Sequence, residues 1–211
     1  MDIANNIFIP LSLCGFVFLL FGLLAVFALR RQRHIKRAWQ QVADQFGMLN
    51  HKPDAIYPQY HGRFNRVDVG LDVIYQDIVL TRSDSTTGIS RTKTKRPWTR
   101  VFADLEAPPG FELRSRRQKV EDASQYLAQA TGDKQFDEMY ELFLPRNTAV
   151  SDILTPQLKQ TLLEANTPIH IYKQKVFWSK VRLVTDTVLL ENALQTCAAV
   201  AATINEQTLF K

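Results

Sequence analysis

Two places in the chain bring together side chains able to handle a proton or an anion. His61-Gly62-Arg63 sets an imidazole two positions from a guanidinium, a pair that can hold an anionic substrate. Asp68 and Asp72 are carboxylates four positions apart in an alternating stretch, RVDVGLDVIY (66–75). On a strand that spacing covers about 13 Å, more than the roughly 5–9.5 Å over which two carboxylates divide acid and base work. Both sets have a plainer reading. His61 and Arg63 flank a glycine that relieves a turn between strands, and the two aspartates lie on a solvated face. GxSxG, HExxH, P-loop and GxGxxG patterns do not occur, and with them go the usual carriers of nucleophilic, metal-assisted and nucleotide chemistry. His34, His51, His61 and His170 show no metal-ligand spacing. The sequence therefore assigns no catalytic, metal or cofactor-binding residue and implies no cofactor.

The side chains that do cluster are cationic. Arg30, Arg31, Arg33, Lys36 and Arg37 fall within eight positions, and Arg91, Lys93, Lys95 and Arg96 lie in the polar stretch DSTTGISRTKTKR. The net charge is +5, but it is unevenly spread. Residues 30–119 hold 18 Lys/Arg against nine Asp/Glu, whereas residues 120–211 hold eight against eleven. Such a surface suits anionic lipid headgroups or a protein partner. Trp98 and Trp178, beside Arg96, Arg100, Lys180 and Arg182, have the composition of a base-stacking face. Cross-strand packing of Trp on Lys or Arg is the commoner origin of that pattern, so nucleic acid is not the expected partner.

An apolar run positions the first cluster. From Ile3 to Leu29 there is no charged residue, and residues 7–29 are 23 almost wholly apolar positions. About 20 suffice to cross the hydrocarbon core. Val26 and Ala28 would fit a signal-peptide cleavage site, but the segment is long and MDIANN ahead of it is net negative. Both features favour a retained anchor. Basic flanks stay in the cytoplasm, so the expectation is residues 1–6 outside, a transmembrane helix at 7–29 and a cytoplasmic C-terminal bulk. Cys14 in the apolar run and Cys197 near the C-terminus are the only cysteines, which fits a reducing compartment.

Beyond the run, residues 30–47 read as a juxtamembrane amphipathic helix. Ile35, Trp39, Val42 and Phe46 share one face at 100° per residue, Arg30, Arg33 and Arg37 take the other, and Gly47 is a stop. Residues 48–211 read as one α+β domain. Strands are expected at 66–75, 77–83, 98–106 and 111–115, with 84–97 as a long hairpin connection or mobile loop. A helix follows at 117–131, a strand at FDEMYELFLP (136–145), and a helix at 151–165 capped at Ser151 or Thr155 with Pro156 in its first turn. A hairpin at 169–184 and a long helix from about Thr185 complete the chain. Hairpin-like runs of strands imply a mainly antiparallel sheet packed by helices.

An apolar anchor followed by a Trp-containing helix (Trp39), then YHGRFNRVDV (60–69), FDEMYELFLP (136–145) and LTPQLKQTLL (154–163), resembles uncharacterised bacterial single-pass membrane proteins with a cytoplasmic α+β domain. The resemblance implies a fold type and a bacterial inner-membrane location, and it transfers no activity and no catalytic residue. The expected function is a non-enzymatic, membrane-anchored scaffold or accessory subunit. Its basic contact residues would be Arg30, Arg31, Arg33, Lys36, Arg37, Arg91, Lys93, Lys95 and Arg96. A membrane-bound enzyme with an unrecognised site is the alternative.

Overall fold

A computed structural model describes the backbone of residues 3–84, 88–118, 124–165 and 167–209, and the side chains within 19–76, 94–118, 124–165 and 167–207. In chain order the elements are α1 (Ile3–Gln45), β1 (Leu49–Asn50), β2 (Tyr60–Phe64), β3 (Val67–Asp84), β4 (Gly88–Asp104), β5 (Glu112–Ser115), β6 (Leu127–Gln129), α2 (Lys134–Met139), β7 (Tyr140–Leu144), α3 (Val150–Ile153), α4 (Pro156–Glu164), β8 (His170–Tyr172), β9 (Lys175–Val181) and α5 (Thr187–Leu209). The strands form one sheet in the order β1-β2-β3-β4-β9-β8-β5-β7-β6. Every ladder is antiparallel. The fold is α+β, with a large antiparallel sheet and a long C-terminal helix.

The apolar run and the amphipathic stretch are one 43-residue helix, about 64 Å long at 1.5 Å per residue. It ends where the sequence implies. Gly47 takes φ 64°, Met48 N–H donates to the Ala43 carbonyl and Gly47 N–H to that of Asp44. These are the paired bonds of a Schellman stop, which needs a left-handed residue. Ile35, Trp39, Val42 and Phe46 are buried, so the amphipathic face packs on the domain. The expected span 7–29 lies outside the described side chains as far as residue 18. From Leu19 to Leu29 the large apolar side chains are exposed.

Among the described residues, one helical stretch is long and apolar enough to cross a membrane, and it is Thr187–Gln207 in α5, half of it buried. Leu190, Ala193, Leu194, Cys197, Val200, Ala201 and Ile204 along α5 are all in the core. The stretch is apolar because it covers the sheet, and its alanines permit a close approach. Tyr60, Leu71, Val101 and Trp178 stand in one row across β2, β3, β4 and β9. All four are buried, and Tyr60 Oη donates to Gln40 Oε1 of α1.

Four local expectations are corrected. Residues 88–97 are not a loop, because β3 and β4 continue paired out to Asp84 and Gly88. Ladder bonds are made by backbone, and alternating Thr with Lys or Arg suits a strand without any apolar face. Residues 119–123 lie outside the description, and the rest of the expected 117–131 helix is a turn followed by β6. Ala128 and Gln129 are good helix formers, but edge pairing with β7 overrides that preference. FDEMYELFLP is half helix and half strand. Asp133 caps α2 by accepting from Phe136 N–H at 3.1 Å, and the chain extends only from Tyr140. The 151–165 helix is broken at Leu154–Thr155, where Thr155 Oγ1 accepts from Leu158 N–H and Pro156 opens α4.

Candidate functional site

The expected cations fall into three groups. Arg30, Arg31, Arg33 and Arg37 are exposed on α1, Lys36 is half-buried, and Lys95 is exposed on β4. Arg91 and Lys93 occupy β4 positions opposite Thr81 and Val79, and their side chains are outside the described residues. Arg96 is half-buried at the point where the hairpin leaves the sheet. β9 accompanies β4 only from Thr99 to Asp104, and β2 accompanies β3 only from Val67 to Leu71. From Tyr75–Pro97 outward the strands form a two-stranded ribbon, about 30 Å long by strand rise.

The root of that ribbon lies beside α1. Arg96 and Pro97, Val181, Arg182 and Leu183, and helix residues from Leu24 to Ile35 surround one open hollow of about 550 Å³. At the other end of the domain Met48 packs directly on Gly62, whose row continues through Val69 to Ala103. The helix thus passes from the root of the ribbon, at Arg96 and Pro97, to the β2 row at Gly62, and the ribbon leaves the sheet toward the end from which α1 arrives.

The hollow has an unusual chemistry. Arg31, Arg96 and Arg182 line it, and among the described residues no carboxylate does. Among the described residues none of the three guanidiniums has an ion-pair partner, whereas Arg100 is held bidentately by Asp72 at 2.9 and 2.6 Å. Leu24, Phe27 and Ile56 supply an apolar, exposed wall. Gln32 Nε2 donates to the Ile56 carbonyl at 3.0 Å, which holds the 51–58 segment against the helix.

Arg182, which the sequence marked only as a basic neighbour of Trp178, was not among the expected contact residues. It has φ 78°, rare for a side chain with a Cβ. Its neighbours determine that conformation. Arg182 N–H donates to the Pro97 carbonyl at 2.9 Å. Its own carbonyl accepts from Thr99 N–H at 3.2 Å and from Thr99 Oγ1 at 2.9 Å. Thr99 Oγ1 in turn accepts from Val184 N–H at 2.9 Å. A sparsely allowed backbone held by its surroundings is a common feature of binding sites. No sequence pattern marks it, because a bend of this kind is specified by partners more than 80 residues away.

The opposite face of the sheet carries the residues first considered for acid–base work. His61 lies 5.0 Å from His51 and edge-on to Phe102 at 5.3 Å, ring centre to ring centre. Burial first, then His51, hold its imidazole below the usual histidine range, although Asp72 and Asp104 pull the other way. Those carboxylates are already engaged, Asp72 with Arg100 and Asp104 with Lys175. Asp72 is buried, which corrects the expectation of a solvated pair, and Asp68 alone is exposed. Arg63 is not part of the cluster, since it turns to the Arg66 carbonyl. Among the described residues no group of three His, Cys, Asp or Glu could hold a metal ion. Trp178 is buried as a core residue, which supports packing as the origin of the Trp–Lys pattern. No family model, curated protein or solved structure matches the chain.

Proposed function

We propose that the protein is a non-enzymatic interaction module tethered to the bacterial inner membrane by residues 7–29. In this reading residues 1–6 lie outside, the α+β domain lies in the cytoplasm, and its basic end rests on anionic headgroups while the rest of its surface is free for a protein partner. One observation carries the reading. Along a single helix the environment of the apolar side chains inverts. Leu19, Leu20, Phe21, Leu23, Leu24, Val26, Phe27 and Leu29 are 47–68% exposed, and Ile35, Trp39 and Val42 are at most 2% exposed. An all-round apolar helix surface of that extent is stable in lipid and costly in water. The arginines begin where it ends, and the basic side of a span stays inside.

The test is a pair of C-terminal reporters on the full chain. A reporter active only in the cytoplasm should be active after Lys211, and one active only outside should be silent. The reverse pattern, or recovery of the chain in the soluble fraction, defeats the proposal.

A further inference from the structure

We infer that the hollow bounded by Arg31, Arg96 and Arg182 is a binding site for the phosphate headgroup of one anionic phospholipid, with Leu24, Phe27 and Ile56 receiving the start of its acyl chains. The inference rests on the membrane-tethered reading and names the partner of one site within it.

Depth is the first argument. With residues 7–29 in the bilayer, Arg30 and Arg31 stand at the headgroup level, because 23 residues rise about 34 Å against a core of about 30 Å. The hollow takes its helical wall from Leu24 to Ile35, so it straddles the boundary between acyl chains and headgroups. Ordinary solvent-facing clefts do not place a strip of exposed Leu and Phe one turn below an arginine.

Charge is the second. Three arginines line one hollow, and among the described residues no acid lines it. Guanidinium is the side chain suited to bidentate contact with phosphate oxygens, and it keeps its charge at every relevant pH. Elsewhere the fold neutralises its buried or half-buried arginines, as with Arg100 on Asp72 and Arg114 on Glu112. Arg96, the half-buried member of the three, has no such partner among the described residues.

Construction is the third. The three arginines come from α1, β4 and the segment after β9, and each support is fixed. Trp39 ties α1 to Val184. Thr99 and Pro97 hold Arg182 in its left-handed conformation. The site is therefore formed before any ligand arrives, which reduces the ordering cost of binding.

The experiment uses the full chain, purified in a non-ionic detergent, with bound lipids counted by native mass spectrometry. The probes are a short-chain phosphatidylglycerol, the matching phosphatidylcholine and inorganic phosphate. The expected result is one tightly held phosphatidylglycerol per chain, with phosphatidylcholine weaker by about tenfold or more because its headgroup carries a compensating cation. Inorganic phosphate, lacking the apolar part, should bind more weakly still. The variant Arg31→Gln/Arg96→Gln/Arg182→Gln should lose the tight lipid. Lys134→Gln/Arg146→Gln/Lys173→Gln removes the same charge from exposed positions outside the hollow's lining and should keep it. Circular dichroism of both variants must match the parent, and Arg182→Lys, which keeps the charge without the fork, should retain partial binding if the first variant misfolds.

Equal loss in both triple variants would overturn the site in favour of diffuse attraction. Equal binding of the two lipids would remove the headgroup selectivity, and phosphate binding as tight as lipid would make it an anion site unrelated to membranes. The topology reporters read the anchor independently, so the site can fail while the tethered reading survives.

Discussion

The indole Nε1 of Trp39 donates to the backbone carbonyl of Val184 at 2.7 Å, across 145 residues of sequence. Trp39 has no exposed surface, and burying an indole of that size is worth on the order of 5 kcal/mol. The bond lands two residues from Arg182, so the helix leaving the apolar run is fastened where the basic hollow is built.

Replacing Trp39 by Phe keeps most of the apolar contact and removes the donor. The buried Val184 carbonyl is then unsatisfied, at a cost of about 1–3 kcal/mol. The full chain in detergent should unfold at lower urea, followed by far-ultraviolet circular dichroism, with an unchanged denaturant slope. An unchanged midpoint would mean that the bond does not hold the helix to the domain.

Leu194 is fully buried in the middle of α5. Leu194→Asp would place an unpaired carboxylate against the sheet, which costs several kcal/mol. The variant should be degraded or melt well below the parent. If α5 were instead a membrane span, the same change would show itself as failed insertion while the remaining domain kept its thermal transition.

Gly70 faces Phe102 so closely that an added Cβ would lie 2.3 Å from the ring. The ring in turn carries Lys175 Nζ at 4.1 Å and the Arg100 guanidinium at 5.2 Å from its centre. Ala is normally better than Gly inside a strand, yet Gly70→Ala should destabilise by about 1–3 kcal/mol through overpacking. Gly70→Ala with Phe102→Leu should be less damaging than the sum of the single changes. Strict additivity would show that the ring is free to move away.

His170 is 1% exposed, and burial, then the nearby Arg114, pushes its imidazole down to about 4 from 6.5. Its Nδ1 accepts from Ser115 N–H at 3.4 Å, and its ring stacks on Phe177. The folded state therefore binds this proton less readily than the unfolded state. Stability is full above about pH 6.5 and falls as pH drops toward 4, by on the order of 3 kcal/mol from this group alone. His61 is shifted in the same direction. Urea midpoints between pH 7.5 and 4.5 should fall, and His170→Asn should flatten that slope. A slope unaffected by the substitution would show that another group governs it.

Periodicity made several elements legible. Ile35, Trp39, Val42 and Phe46 marked the buried face of α1, and Gly47 its end. Leu190, Leu194, Cys197, Ala201 and Ile204 marked the stripe of α5. Thr155, one of two cap candidates beside Ser151, and Pro156 open α4. Each of these signals is local, arising from a helical repeat, a cap or a stop within a few residues. Elements that needed a distant partner were misread. β6 is a strand only because β7 lies beside it, and the polar ribbon is a strand pair only because each half bonds the other.

The candidate site divides in the same way. The sequence by itself determined that a long apolar run is followed at once by arginines, and that positive charge gathers in residues 30–119. Only the tertiary structure decided that Arg31 and Arg96 share a hollow and that Arg182 joins them. It also took Asp72 out of the solvated pair expected with Asp68 and made it the buried partner of Arg100. The reason is physical. Helical repeat, capping and charge density are properties of neighbouring residues and can be read along the chain. Which cation keeps a carboxylate, and which is left facing open space, depends on sheet register and on backbone bonds between segments 80 or more residues apart.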